Sequence, residues 1–420
     1  MNQYIYGIDF GTTNSALAIL DVAKNEIVKT FTIPSLIFFP KKQDNKKEMT
    51  FYIGKEAIRE YVDSRMDGRF LKSIKKVLPN KKFTKANILS QSYKAEELVA
   101  LIISALKDKA DRFLNQRITT AIVGRPVFFD KDSSKDACAQ ERLAKAVEIA
   151  GFKTYYFQLE PIAAAYAYEQ GIQQEELVLV ADFGGGTSDF TLMNLSPDAV
   201  GKFNRTEDMI SKGGIYVGGD DFDSNLMWEV GTPHFGRGVK EKFDDKWLDL
   251  PLFYFSNICS WEKMNFLNSI KLQNAIRKSY VFSGKHPKVK NLMTLIANNL
   301  GYMLFKEIEN QKIALTTEET TTLCFNELDI SIQEDITIDQ FTNAIQGSLL
   351  KISDYLDAFL EENQIDTQQI DTIFMTGGTS LVRPLRTIFE AKFSENSLKS
   401  KDNFNSVAVG LAYSYYSLHN

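Results

Sequence analysis

Val178-Leu-Val-Ala-Asp-Phe-Gly-Gly-Gly-Thr-Ser-Asp-Phe190 is the stretch on which the reading of this chain turns. Four apolar residues describe a buried strand that ends on Asp182. Gly184, Gly185 and Gly186 follow as a turn with no Cβ to hold a ligand off the backbone. Successive N–H groups in such a turn converge on an anion. Asp182 at the strand end and Asp189 beyond the turn supply carboxylates suited to holding Mg²⁺ through water, and Thr187 adds a hydroxyl at the same edge. One glycine turn is weak evidence, because most are structural hairpins. The N-terminus repeats the grammar, however. Ile5-Tyr-Gly-Ile-Asp-Phe-Gly-Thr-Thr-Asn-Ser15 again runs strand, Asp9, Phe10, Gly11 and then small hydroxyl residues. Two copies imply an internal duplication. Facing each other, they would grip a polyphosphate from both sides and set Asp9 and Asp182 beside its metal.

Composition narrows the class. A chain of 420 residues exceeds one small core, and its length predicts about two to four domains. With 44% hydrophobic and 25% charged residues, the composition is that of an ordinary globular protein. The net charge of −5 argues against non-specific nucleic-acid binding. Three scattered cysteines, Cys138, Cys259 and Cys324, indicate neither a disulfide framework nor a zinc site. Met1 leads almost directly into a strand, leaving no room for a signal peptide, and no apolar run approaches the ~18 residues of a membrane span. A soluble, cytoplasmic protein is expected, with no membrane and no nucleic-acid partner.

Outward from the two glycine turns, residues 4–39 read as a four-stranded meander. Lys41–Lys47 reads as an exposed loop, and Lys72, Lys75, Lys76, Lys81, Lys82 and Lys85 crowd one basic stretch. Helices are expected at Ala95–Asn115, Glu141–Gly151 and Ile162–Gln170, the last opened by Glu160-Pro161, with strands at Thr119–Gly124 and Tyr155–Leu159. Gly213-Gly-Ile-Tyr-Val-Gly-Gly-Asp-Asp-Phe-Asp223 is a second glycine-rich turn leading into an acidic helix start. Residues 228–306, aromatic-rich and weakly periodic, read as an inserted, mostly helical subdomain. Thr337-Ile-Asp-Gln340 looks like a capping box opening a helix with the apolar stripe Phe341, Ile345, Leu349, Ile352, Leu356 and Phe359. A strand over Thr372–Met375 meets a third glycine turn, Thr376–Ser380, and Ser406–Leu418 reads as a final helix.

Taken together, these motifs resemble the ATPase domain of the seventy-kilodalton heat-shock chaperones, within the actin, sugar kinase and heat-shock superfamily. Gly7–Ser15 is similar to the first phosphate loop of that family and Val180–Asp189 to the second. Leu159–Tyr166 resembles its connecting segment, Val217–Asp223 the turn after the second loop, Glu309–Thr316 the adenosine-contacting helix, and Met375–Thr379 the adenosine loop. The motifs keep family order from residue 5 to about 412. Gly124-Arg-Pro126, Phe70-Leu-Lys-Ser73 and the 228–306 insertion further resemble the truncated YegD-like branch.

The resemblance implies an α/β, two-lobed actin-like ATPase fold, a duplicated ribonuclease-H-like motif with inserted subdomains. Lobe I would take residues 1–33, 118–174 and 401–420 as its base and 34–117 as its insert. Lobe II would take 175–227 and 313–400, with 228–312 inserted. It also implies ATP or ADP with Mg²⁺. Backbone groups of Gly11, Thr12, Thr13, Asn14, Gly184, Gly185, Gly186 and Thr187 would hold phosphates, with Gly218 and Gly219 nearby. Glu309, Lys312, Thr316, Gly377, Gly378 and Thr379 would hold adenosine. Asp9, Asp182 and Asp189 would serve the metal. Lys72 would stabilise γ-phosphate charge, with Lys75 or Lys76 as alternative counterparts, while Glu160, Asp182 and Thr187 complete the catalytic set.

Three departures from the family pattern stand out. Leu381 occupies the place of an arginine expected to pack on the base, with Arg383 two residues later. No acidic residue stands at Phe404, where Asn405 is the nearest polar group. The sequence ends at Asn420, and the apolar linker and peptide-binding domain of full chaperones are not expected in it. The expectation is a slow ATPase acting as a monomer, with any protein partner or client meeting the lobe surfaces. A nucleotide-dependent interaction module, a small-molecule kinase and an actin-like filament are the alternatives on the same fold.

Overall fold

The structure, a computed structural model, describes residues 3–42, 49–64, 67–169, 171–199, 208–264, 267, 269–393, 398–399 and 405–419. Most of the 41–47 loop, Gln170 and Phe404 lie outside these residues.

Two five-stranded sheets carry the duplication. In the first, β1 (Tyr4–Phe10), β2 (Asn14–Asp21) and β3 (Glu26–Pro34) form an antiparallel meander. Strands β4 (Thr120–Arg125) and β5 (Thr154–Leu159) join in parallel beyond β1, giving the order β5-β4-β1-β2-β3. The second sheet repeats this path. Its meander is β6 (Glu176–Phe183), β7 (Ser188–Leu195) and β8 (Met209–Ile215), and its parallel strands are β9 (Thr372–Thr376) and β10 (Leu398–Lys399), in the order β8-β7-β6-β9-β10.

The helices repeat as well. Helix α1 (Ala95–Leu114) precedes β4, α2 (Ser133–Ile149) crosses from β4 to β5, and α3 (Glu160–Glu169) follows β5. In the second half, with α4 (Gly219–Leu226) and α5 (Gly301–Ala314) intervening after β8, α6 (Ile338–Glu362) precedes β9. Helix α7 (Arg383–Lys392) crosses from β9 to β10, and α8 (Ser406–Tyr413) follows β10. Parallel neighbours need such crossovers, which is why a helix separates each parallel pair.

The strands nearest the middle are buried on both faces, as their near-continuous apolar runs require. Small residues let α3 and α8 close on one another: a Cβ on Gly410 would stand 1.6 Å from the Ala163 carbonyl oxygen. Asp132 caps α2 by accepting from the N–H groups of Ser134 and Lys135. Helix α6 opens on the expected capping box: Thr337 N–H donates to Gln340 Oε1 at 2.9 Å, and Gln340 N–H donates to Thr337 Oγ1 at 3.2 Å. All six residues of its apolar stripe are buried.

The chain forms two compact units. One comprises Met1–Gly218, Ile352–Ser380 and Ile388–Asn420 and contains both sheets; the other comprises Gly219–Lys351 and Leu381–Thr387.

Several local expectations are corrected. The fourth strand of the meander, Ile37–Pro40, leaves the first sheet and pairs instead with Tyr52–Ile53 and Gly68–Leu71. Pro34 has no N–H to extend the ladder, and Ser35 N–H turns to the Thr13 carbonyl at 2.8 Å. Helix α2 begins at Ser133, well before Glu141. The 228–306 insertion contains helices Leu252–Ile258, Ile270–Phe282 and Pro287–Ala297, together with a hairpin of Lys240–Phe243 and Lys246–Asp249. The terminal helix breaks at Ser414 into α8 and Tyr415–His419.

Candidate active site

The hairpin register places the first carboxylates. On β6 and β7 the ladder closes with Asp182 opposite Asp189 and Phe183 opposite Ser188, leaving residues 184–187 as the loop. On β1 and β2 it closes with Asp9 opposite Ala16 and Phe10 opposite Ser15, leaving residues 11–14. The two four-residue loops are therefore equivalent, and Asp9 is the counterpart of Asp182. Like charges directly opposite on a ladder repel, so the Asp182–Asp189 pair is an electrostatic liability for the fold alone.

Glu160 and a lysine complete the group. Glu160 stands in the first turn of α3, and Lys75 Nζ donates to its Oε1 at 2.7 Å; both side chains are about nine-tenths buried. Burial pushes the Asp9 carboxyl up to about 8, with Glu160 and Asp182 adding to the rise and Lys75 opposing it. Burial likewise holds Asp182 at about 8, reinforced by Glu160 and Asp189. Asp189 is raised by burial to about 7, although Thr187 Oγ1 donates to its Oδ2 at 2.9 Å and restrains the shift. Burial alone would depress the Lys75 ammonium, but Glu160, Asp9 and Asp182 more than offset that and keep its pKa above the ordinary value. Four carboxylates thus face one ammonium at a buried site, an arrangement that invites a further cation.

The glycine turns are tied together by close backbone approach. The second turn closes with Gly184 N–H donating to the Thr187 carbonyl at 2.9 Å. A Cβ on Gly218 would lie 2.7 Å from the Gly185 carbonyl, so only glycine lets the later turn rest on this one. Gly377, at φ +81°, packs against Phe183 and Asp182, and a Cβ there would stand 2.3 Å from the Phe183 carbonyl oxygen. Thr379 Oγ1 donates to the Gly184 carbonyl at 3.0 Å, within the short 3₁₀ turn Gly378–Leu381. On the first turn, Ser35 Oγ donates to the Gly11 carbonyl at 2.8 Å. Thr12, Thr13 and Asn14 line that loop partly or fully exposed.

The lysine in the carboxylate group is Lys75, one of the alternatives to Lys72. Lys72 follows strand Gly68–Leu71, half-buried, whereas Lys75 lies on the 3₁₀ turn Ile74–Val77 behind Ser73, whose φ of 58° reorients the chain. Sequence periodicity gives no direction to side chains across such a left-handed residue. Gly214 is a further residue that sequence reasoning passed over: a Cβ there would sit 2.3 Å from Asp189 Oδ1. Its signal was present, as part of the Gly213-Gly214 pair at the end of β8.

The residues expected at adenosine are more heavily engaged. In the second unit, Lys312 Nζ pairs with Asp223 Oδ2 at 2.8 Å and reaches the Gly219 carbonyl at 3.3 Å. Glu309 pairs with Lys306 at 3.0 Å, and Thr316 Oγ1 donates back to the Ile313 carbonyl at 2.7 Å. Arg383 is held at the end of α5, its Nε donating to the Leu315 carbonyl at 3.1 Å while the guanidinium also pairs with Glu319. Leu381 is 36% exposed. In the first unit, Asn405 Oδ1 accepts from Thr32 Oγ1 at 2.9 Å.

Among the described residues, no three His, Cys, Asp or Glu side chains converge to ligate a metal ion directly. The donor set fits a divalent cation held through water and phosphate oxygens, since the partly buried Asp9 and the buried Asp182 and Asp189, all with raised pKa values, lie beside the glycine turns.

A duplicated three-stranded meander with two parallel additions, closing on paired Asp-Phe-Gly turns, defines the actin-like nucleotide-binding class of folds. Within that class the assignment is direct. The family profile described as Hsp70 protein matches residues 5–237, and the chain belongs to the Hsp70 family. The chain is similar to chaperone protein dnaK of Phaeodactylum tricornutum, 25% identical over 97% of this chain and 60% of that protein. It is similar to chaperone protein DnaK of Ureaplasma urealyticum at 25% identity over 98% of this chain and 58% of that one. With DnaK of Mycoplasmopsis synoviae it shares 31% identity over 57% of this chain and 38% of the relative. It thus spans between 38% and 60% of these relatives' lengths. Among the described residues, no helix is long and apolar enough to cross a membrane.

Proposed function

We propose that this chain binds ATP and ADP with Mg²⁺ and hydrolyses ATP slowly, as a monomeric, chaperone-like nucleotide switch. The observation that carries the reading is the buried Lys75–Glu160 pair set against Asp9, Asp182 and Asp189 beside the glycine turns. Backbone N–H groups over Gly11–Thr13 and Gly185–Thr187 hold the phosphates, with the Gly184 N–H closing the second turn. Asp9, Asp182 and Asp189 orient the waters of the metal shell, and Mg²⁺, when bound, supplies charge neutralisation at the phosphate oxygens. Lys75 takes the role the family resemblance gave to Lys72. Held by Glu160, its ammonium is aimed at the terminal phosphate, and Glu160 and Asp189 position the attacking water. Thr187 Oγ1, which here donates to Asp189, would turn its one proton to the same phosphate on binding. Phosphoryl transfer asks for little else than positioning and charge compensation.

The adenosine contacts of Glu309, Lys312, Thr316, Gly377, Gly378 and Thr379 belong to the same reading, with Leu381 weakening base recognition. A protein partner is supported by the number of large apolar side chains exposed in the insertion, Phe243, Trp247, Leu248, Leu252 and Phe253. Phosphate release from ATP, measured with Mg²⁺ and with chelator beside a nucleotide-binding titration, tests the proposal. Binding without turnover would reduce it to an interaction module, and neither binding nor turnover would end it.

A further inference from the structure

Two adjacent lysines on the 3₁₀ turn Ile74–Val77 point to different places. Lys75 goes inward to Glu160, whereas Lys76 is exposed and extends along the second glycine turn. A Cβ built on Gly186 would meet Lys76 Cε at 3.2 Å, and Thr12 Oγ1 lies 4.0 Å from the same point. The first glycine turn, the second and the Lys76 side chain therefore converge there. The ammonium is one bond beyond that Cε, within reach of an anion held in the turn.

The segment that presents Lys76 is fixed rather than loose. Ser73 enters it in the left-handed conformation. At its far end the Arg142 guanidinium donates to the carbonyls of Leu78 at 2.9 Å, Asn80 at 3.0 Å and Phe83 at 2.8 Å. A lysine on a clamped segment loses less freedom when it engages a ligand than one on a mobile loop.

We propose that Lys76 is a second phosphate-binding lysine, gripping the terminal phosphate of a nucleoside triphosphate from the Gly186 side and setting the preference for triphosphate over diphosphate. This rests on the reading that the glycine turns hold a nucleotide. It separates two functions: Lys75, committed to Glu160, serves the chemical step, and Lys76 serves recognition of the extra charged group. Gly186 marks where the turn and the lysine end meet: a Cβ there, 3.2 Å from Cε, would ask the flexible end of Lys76 to shift by only a few tenths of an ångström.

The test compares ATP and ADP affinities, each with Mg²⁺, for wild type, Lys76→Gln and Lys76→Arg, using a non-hydrolysable triphosphate analogue to check the ATP value. Loss of one charge-assisted contact predicts about tenfold weaker triphosphate binding in Lys76→Gln, with ADP changed by less than about twofold. Its KM for ATP should rise more than its kcat falls, the reverse of Lys75→Gln. Lys76→Arg should restore most of the preference. ADP affinity serves as the internal control for folding. A ratio of ATP to ADP affinity unchanged in Lys76→Gln, with tight wild-type binding, overturns the Lys76 assignment alone. A wild type that binds neither nucleotide removes the underlying reading and the proposal with it.

Discussion

Replacing Asp182 by asparagine should stabilise the nucleotide-free protein while impairing its response to Mg·ATP. Asp182 is 9% exposed and faces Asp189 across the ladder, and burial with these neighbours raises its pKa from 3.8 to about 8. A group whose folded pKa is raised contributes stability below its unfolded pKa and loses that contribution as pH rises through the folded value. At pH 7 the cost of folding with Asp182 held mostly protonated, when the unfolded chain ionises it, has a ceiling of about 4 kcal/mol. The isosteric amide must itself be desolvated, so the expected gain is about 2 kcal/mol. For a unit of this size that is a rise of roughly 4 °C in melting temperature. The gap between variant and wild type should be small near pH 4, widen up to pH 8, and stay level above it. Mg·ATP at a hundredfold excess over its Kd should stabilise the wild type by about 2.7 kcal/mol and the variant by clearly less. Calorimetry across pH, with and without Mg·ATP, reads both effects. A variant less stable than wild type at pH 8, yet equally stabilised by Mg·ATP, would refute the reasoning.

Other substitutions probe the parts separately. In Gly218→Ala the new Cβ would stand 2.7 Å from the Gly185 carbonyl; a loss of about 1–3 kcal/mol and weaker ADP binding are expected, by melting and titration. Gly347 lies inside α6, where an added Cβ would meet nothing within 4 Å, so Gly347→Ala should raise stability by about 1 kcal/mol without touching nucleotide affinity. Arg142→Ala frees the carbonyls of Leu78, Asn80 and Phe83; turnover should fall more than ADP affinity, because the segment it clamps carries Lys75.

Much of the fold was legible because the decisive signals were local and repeated. Asp9 and Asp182 each end an apolar strand before a glycine turn, and the two sheets follow the same path. The capping box at Thr337 and Gln340 needs only a spacing of three, and the structure makes both of its hydrogen bonds. The start of α2 was hidden because Ser133–Asp136 offers no apolar residue to reveal a period, only the Asp132 cap. The hairpin of Thr320–Glu327 and Ile330–Thr337 was passed over, although its alternation of Leu323 with Phe325 and of Ile330 with Ile332, all buried, is a strand signal. Which lysine meets Glu160 was not readable. It depends on the left-handed Ser73 and on Arg142, far along the chain, gathering the carbonyls that follow. Packing of Gly214 on Asp189 and of Gly218 on Gly185 is likewise set by tertiary approach, which sequence spacing does not carry.

The most direct test of the proposed mechanism is single-turnover ATP hydrolysis with Mg²⁺ by wild type, Lys75→Ala and Lys72→Ala. Removing the cation held by Glu160 should slow the chemical step about a hundredfold or more while changing ATP affinity far less, and Lys72→Ala should stay near wild type. Turnover that survives in Lys75→Ala, or collapses in Lys72→Ala instead, would contradict a site built on the Lys75–Glu160 pair.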